Sequence, residues 1–175
     1  LIRFGKYLKG KERWVQLFHY QEGNSKHSNK HVNVWVDTDY AGCLETRKST
    51  SGGVIMLNQH AIKSWSVTQD IIALSSGEAE YYGMVRGGAQ GLGALTLLND
   101  MGVSMKLRLR TDASVAKSIA SRRGIGRVRH IEVNQLWLQE RVNKGQIEIE
   151  KVDGKINRAD LLTKHEDWHH IQSHL

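Results

Sequence analysis

Four carboxylates stand where elements of secondary structure should end or begin. Asp37 closes an apolar run, Asp112 closes a second, Glu80 lies one turn into a long helical stretch, and Asp160 sits in the first turn of a last one. If the two runs are strands lying side by side in parallel, their C-terminal ends are adjacent, and such sheet ends are where ligands bind. Carboxylates brought together repel one another and are tolerated only with cations between them. Hard oxygen donors select Mg²⁺ or Mn²⁺, and two such ions about 4 Å apart can activate water and stabilise the leaving oxygen of a phosphodiester. Taken singly, each acid also has an ordinary explanation. Asp37 and Asp112 could be turn residues after strands, Asp160 could complement a helix dipole, and Glu80 could be solvated. Spacing alone leaves both readings open.

The elements that must position these acids read as an alternation of periods. His31–Asp37 is a β-branched run, as a buried strand would be. Gly52-Gly53 precedes VIMLN, and Gln59-His60 separates it from AIKSWSV, a hairpin pattern. Ser75 and Glu78 have capping-box spacing and open a helix to about Asn99, with Gly102 as its stop. Leu107–Thr111 alternates Leu and Arg, a strand signal, followed by a short helix over Ser114–Arg122 and a longer one over His130–Lys144. Gln146–Val152 alternates as a strand, and Asn157 should cap a final helix through Ala159, Leu161 and Leu162. The order is βββ-α-β-α-α-β-α. Five glycines (Gly83, Gly87, Gly88, Gly91 and Gly93) fall inside the first long helix, where each costs about 1 kcal/mol against Ala in an exposed position. That helix is therefore either packed very closely on the sheet or marginal.

Composition narrows the partners. The 175 residues carry 25 basic against 18 acidic side chains, a net charge of +7, which favours polyanions and above all nucleic acid. No apolar run approaches the roughly 18 residues a membrane span needs. The single cysteine, Cys43, cannot close an internal disulfide, and a reducing intracellular compartment is the simpler setting. The opening residues Leu1–Lys6 have no signal core and read as a cut from a longer polypeptide. Residues 1–30 are basic, then polar, and a compact domain should begin near His31, run to Lys164 and leave a His-rich tail at 165–175.

Five motifs carry a resemblance. They are Val36-Asp37-Thr38-Asp39-Tyr40-Ala41-Gly42-Cys43 with Thr46–Gly52; Ser64-Trp65-Ser66 leading to Ala73–Tyr81; Thr111-Asp112-Ala113-Ser114; Arg129-His130-Ile131-Glu132; and Asn157–Lys164 (NRADLLTK). In this order they closely resemble the ribonuclease H domain of copia-type retrotransposon Pol polyproteins. Residues 1–20 look like the end of the reverse transcriptase connection that precedes such a domain. The resemblance implies an α/β, ribonuclease H-like fold, with a five-stranded mixed sheet of three antiparallel and two parallel strands flanked by helices. It implies hydrolysis of the RNA strand of RNA–DNA hybrids with two Mg²⁺ (or Mn²⁺) ions held by Asp37, Glu80, Asp112 and Asp160. A polymerase domain in the same polyprotein would be the partner, and the cytoplasmic virus-like particle of the element the location.

Asp37 rather than Asp39 matches the family's first acid. Glu80 rather than Glu78 matches its helix acid; residues two apart on a helix point about 200° apart, so only one of the two can face the site. The loop Val152–Ile156 lacks the histidine that cellular ribonucleases H often carry there. Arg122, Arg123 and Arg127, with Arg47 and Lys48, are the expected phosphate contacts, and Ser76 at the helix start could meet a phosphate or a 2′-hydroxyl. The alternative from another class is an inactive domain of the same fold that binds hybrid or supports the polymerase.

Overall fold

A computed structural model describes residues 9, 15, 17–19, 31–124, 131 and 136–164. The β-branched run forms β1 (His31–Asp39), whose side chains alternate between two covered faces. Val32, Val34 and Val36 enter the main core, and Trp35 a smaller one on the opposite side. β2 (Thr50–Leu57) and β3 (His60–Thr68) make the expected hairpin. It turns at Asn58, whose φ of +55° is a left-handed conformation that Asn tolerates.

β4 (Lys106–Thr111) and β5 (Ile147–Lys151) complete a five-stranded sheet in the order β3-β2-β1-β4-β5. The β1–β2 and β2–β3 pairs are antiparallel, and β1–β4 and β4–β5 parallel. This is the mixed sheet expected. Parallel pairing requires crossovers, and helices supply them. α1 (Ser76–Asp100) packs on β1 and β4; α2 (Ser114–Ser121) and α3 (Trp137–Asn143) pack together and against β5.

The Leu-Arg alternation of β4 follows from this. Leu107 and Leu109 are fully buried in the core, while Arg108 and Arg110 face their register partners on β5. Arg108 lies 3.2 Å from Glu148, Arg110 lies 3.1 Å from Glu150, and the Arg110 guanidinium stacks 4.7 Å from the Trp35 ring centroid.

Two expectations change. The helix read over His130–Lys144 is helical over Trp137–Asn143; residues 125–130 and 132–135 lie outside the described residues. The final α-helix is, among the described residues, two single 3-10 turns, Gly154–Ile156 and Asp160–Leu162. Asn157 is not the N-cap of the last turn, which is Ala159; it closes the turn before, and its Oδ1 accepts from the Ala159 amide at 3.2 Å. Its amide nitrogen, however, is drawn to the Val36 carbonyl at 3.1 Å, which ties the segment to β1 as a tight turn. No described helix is long and apolar enough to cross a membrane.

Candidate metal centre

Because β1 and β4 are parallel neighbours, Asp37 and Asp112 come to the same end of the sheet. Glu80 reaches that end from the first turns of α1. Carboxylate oxygens of Asp37, Glu80 and Asp112 all lie within 4.8 Å of one another. Helix register explains why Glu80 is the one that arrives. Ser75 caps α1 by accepting from the Glu78 amide at 3.2 Å, and Glu78 is buried beneath the cap. The Glu78 carboxylate accepts from the Leu74 amide at 2.8 Å and from the Tyr82 hydroxyl at 2.6 Å. Glu80, two residues on, points to the strand ends. Asp39 shares a strand face with Asp37 but is not part of the cluster; its carboxylate folds over Gly42, where a β-carbon would meet it.

Asp160 approaches from the opposite side on its 3-10 turn. That turn is docked on the hairpin: Ser66 donates to the Leu162 carbonyl at 2.6 Å, and Gly52, paired with Asp37 across β1–β2, leaves room for Leu162 and Thr163. Three contacts bind it to the acids. The Thr163 hydroxyl donates to Asp37 Oδ2, and Lys164 Nζ stands 3.0 Å from Asp160 Oδ2 and 3.5 Å from Asp37 Oδ1. Asn157 adds a contact 3.5 Å from Asp112 Oδ1. Thr163 and Lys164 both lie in the NRADLLTK motif, but nothing in their local spacing points to a role at the acids. The spacing around Asn157 points only to a capping role.

The electrostatics are those of crowded acids. Burial, then the fields of Asp37 and Asp112, push the Glu80 carboxyl up to about 8, against the pull of Lys164 and the Thr38 amide. Burial also raises Asp160; the Lys164 hydrogen bond opposes it, and Asp37 adds to it. Burial disfavours the Lys164 charge, but its hydrogen bond to Asp160 and the field of Asp37 outweigh that and hold the ammonium protonated. Glu80 Oε2 and Asp160 Oδ1 are buried without a hydrogen-bond partner. An all-oxygen donor set with mutually repelling charges and buried lone pairs to spare suits a hard divalent cation.

A test follows for the metal-free protein. The Glu80 pKa of about 8 lies above its ordinary 4.5, so its contribution to stability is full below pH 4.5 and is lost as pH rises through 8. In EDTA, Glu80→Gln should match the parent near pH 4.5 and melt at a higher temperature at pH 8.5. Saturating Mg²⁺ should reverse that order, because only the parent gains a ligand. Equal melting in EDTA across this range would place the Glu80 carboxyl in water.

The predicted basic contacts are more dispersed. Arg47 and Lys48 lie on the loop after β1, Arg47 with a left-handed φ of +56° and its amide donating to the Cys43 carbonyl at 2.7 Å. Ser76 is the exposed first residue of α1. Arg122 is half-buried at the end of α2, and exposed Arg123 lines a cavity of about 440 Å³ with Leu136, Gln139 and Lys144. Arg127 lies outside the described residues, as do His130 and the His-rich tail.

Comparison with solved proteins decides the fold. LC11-RNase H1, in a complex with RNA/DNA hybrid, superposes with a TM-score of 0.52 at 18% identity, over 75% of this chain and 92% of that one. The N-terminal RNase H domain of rv2228c from Mycobacterium tuberculosis gives 0.52 at 20%, over 83% and 99%. The chain has the ribonuclease H fold. No family model matches it. Its sequence relatives are retrovirus-related Pol polyproteins of plant transposons. It is 28% identical over 166 residues to that of TNT 1-94 from Nicotiana tabacum, and 24% over 136 residues to those of RE1 and RE2 from Arabidopsis thaliana. Those matches cover 89% and 76% of this chain but only 12% and 9% of the polyproteins. This ribonuclease H-fold chain therefore corresponds to a small part of its relatives.

Proposed function

We propose that the chain is a metal-dependent ribonuclease H that hydrolyses the RNA strand of RNA–DNA hybrids. It would act as one domain of a copia-type Pol polyprotein, alongside a reverse transcriptase polymerase, in the cytoplasmic particle of the element. The convergence of Asp37, Glu80 and Asp112 within 4.8 Å at the ends of two parallel strands carries this reading. The hybrid bound by LC11-RNase H1 supports the same class of substrate.

Two Mg²⁺ or Mn²⁺ ions, when bound, would supply Lewis acidity and a water of lowered pKa. Asp37, Glu80 and Asp112 would hold one, and Asp37 with Asp160 the other. Thr163 and Asn157 orient the carboxylates of Asp37 and Asp112 through their hydrogen bonds. Arg47, Lys48, Ser76, Arg122, Arg123 and Arg127 would grip phosphates without regard to sequence, and contacts to 2′-hydroxyls would select the RNA strand. On an end-labelled hybrid the protein should cut RNA with Mg²⁺ and not with EDTA, leaving duplex DNA intact. Hybrid binding without cleavage at any Mg²⁺ or Mn²⁺ concentration would instead mark a domain that supports the polymerase without cutting.

A further inference from the structure

The four acids do not form one symmetric cluster. Asp37, Glu80 and Asp112 converge, and among the described residues no cationic side chain pairs with Glu80 or Asp112, whereas Lys164 pairs with both Asp37 and Asp160 and fills the gap between them. Both flanking acids are nearly inaccessible, at 2% and 6% exposure, while the lysine side chain is 42% exposed and so has a path out to solvent. A divalent ion bridging Asp37 and Asp160 would lie about 2.1 Å from its oxygens. An ammonium 3.5 Å from Asp37 Oδ1 and 3.0 Å from Asp160 Oδ2 occupies that same gap. Two cations cannot share it.

We infer that Lys164 is a built-in counterion for the Asp37–Asp160 half of the site, which a divalent ion enters only by displacing the ammonium. The inference rests on the metal-site reading above and adds an order of filling. The three-carboxylate half takes its ion in the free protein. The lysine-held half takes one when further ligands, such as phosphate oxygens of the nucleic acid, compensate for expelling Lys164. Meanwhile the ammonium keeps the metal-free acids from repelling one another apart, which is why it sits on the least accessible pair.

Mn²⁺ titration of the full chain without nucleic acid, counted calorimetrically and by electron paramagnetic resonance of free Mn²⁺, tests this. The parent should bind one ion per chain and Lys164→Gln two. In the variant the second ion should bind at least about tenfold more tightly than in the parent, because a positive charge a few ångströms away has gone. Lys164→Arg, which keeps the charge, should behave as the parent. If Lys164→Gln unfolds in metal-free buffer and Mn²⁺ restores it, the counterion role stands; if Mn²⁺ does not restore it, that role is lost. Two ions in the parent, or one in Lys164→Gln, overturn the inference and leave the metal site intact. No Mn²⁺ binding by either protein would strike at the metal site itself, and the inference would fall with it.

Discussion

Asp37→Asn is expected to leave a folded domain that cuts hybrid at least about 10²–10³-fold more slowly, the range lost when one group stabilising transition-state charge is removed. Asp37 is the acid the other three converge on. It shares the cluster with Glu80 and Asp112, and it faces Asp160 across Lys164. An amide of the same shape can still accept from Thr163 through its oxygen, so the turn carrying Asp160 stays docked. Removing the charge also relieves the field that raises Glu80. The metal-free variant should therefore melt near the parent, while Mg²⁺ should no longer stabilise it. Circular dichroism, melting with and without Mg²⁺, and single-turnover cleavage together check this. Near-parental cleavage by a folded Asp37→Asn protein would take the residue out of the site. Asp39→Asn is the matched control, expected to stay within a few-fold because that carboxylate packs on Gly42.

What could be read from sequence was what local periodicity encodes. The ends of two apolar runs place Asp37 and Asp112; helix geometry says that only one of Glu78 and Glu80 can face them, and the family resemblance picks Glu80. The mixed sheet came from the family resemblance, and the order of its strands, β3-β2-β1-β4-β5, only from the fold itself. The last segment was not legible in the same way. Asn157 carries a cap signal, but a local signal does not register what competes for the residue, and Ala159 takes the N-cap position of a single 3-10 turn. Here the Asn157 side-chain amide bonds to Val36, 121 positions away. Thr163 and Lys164 meet Asp37 across 126 and 127 positions, and no spacing rule reaches that far. The glycines of α1 were legible as an oddity with two opposite explanations, and only packing distinguishes them.

Packing decides for close approach, and alanine substitutions along α1 should therefore split in sign. Gly83, Gly87 and Gly91 are spaced by four and share one face of the helix. A β-carbon at Gly87 would stand 2.4 Å from Val36 Cγ1. One at Gly91 would stand 2.5 Å from Leu107 Cδ1 and 2.9 Å from Val34 Cγ2. Those neighbours are fully buried and have nowhere to retreat. Overpacking a filled core costs about 1–3 kcal/mol, against a gain in helix propensity of about 1 kcal/mol for replacing Gly. Gly87→Ala and Gly91→Ala should each destabilise the domain, and together more than either alone. Gly93 is exposed with nothing within 4 Å of its missing β-carbon, so Gly93→Ala should stabilise by up to about 1 kcal/mol. Urea unfolding of the three single variants and the double measures both signs. A marginal helix would instead gain stability from all of them. The same substitutions test how the fold sets the site. The glycine face lets α1 lie close enough to β1 for Glu80 to reach Asp37, so Gly87→Ala should weaken Mn²⁺ binding as well as stability. Gly93→Ala, two turns further from the acids, should leave Mn²⁺ binding as it was.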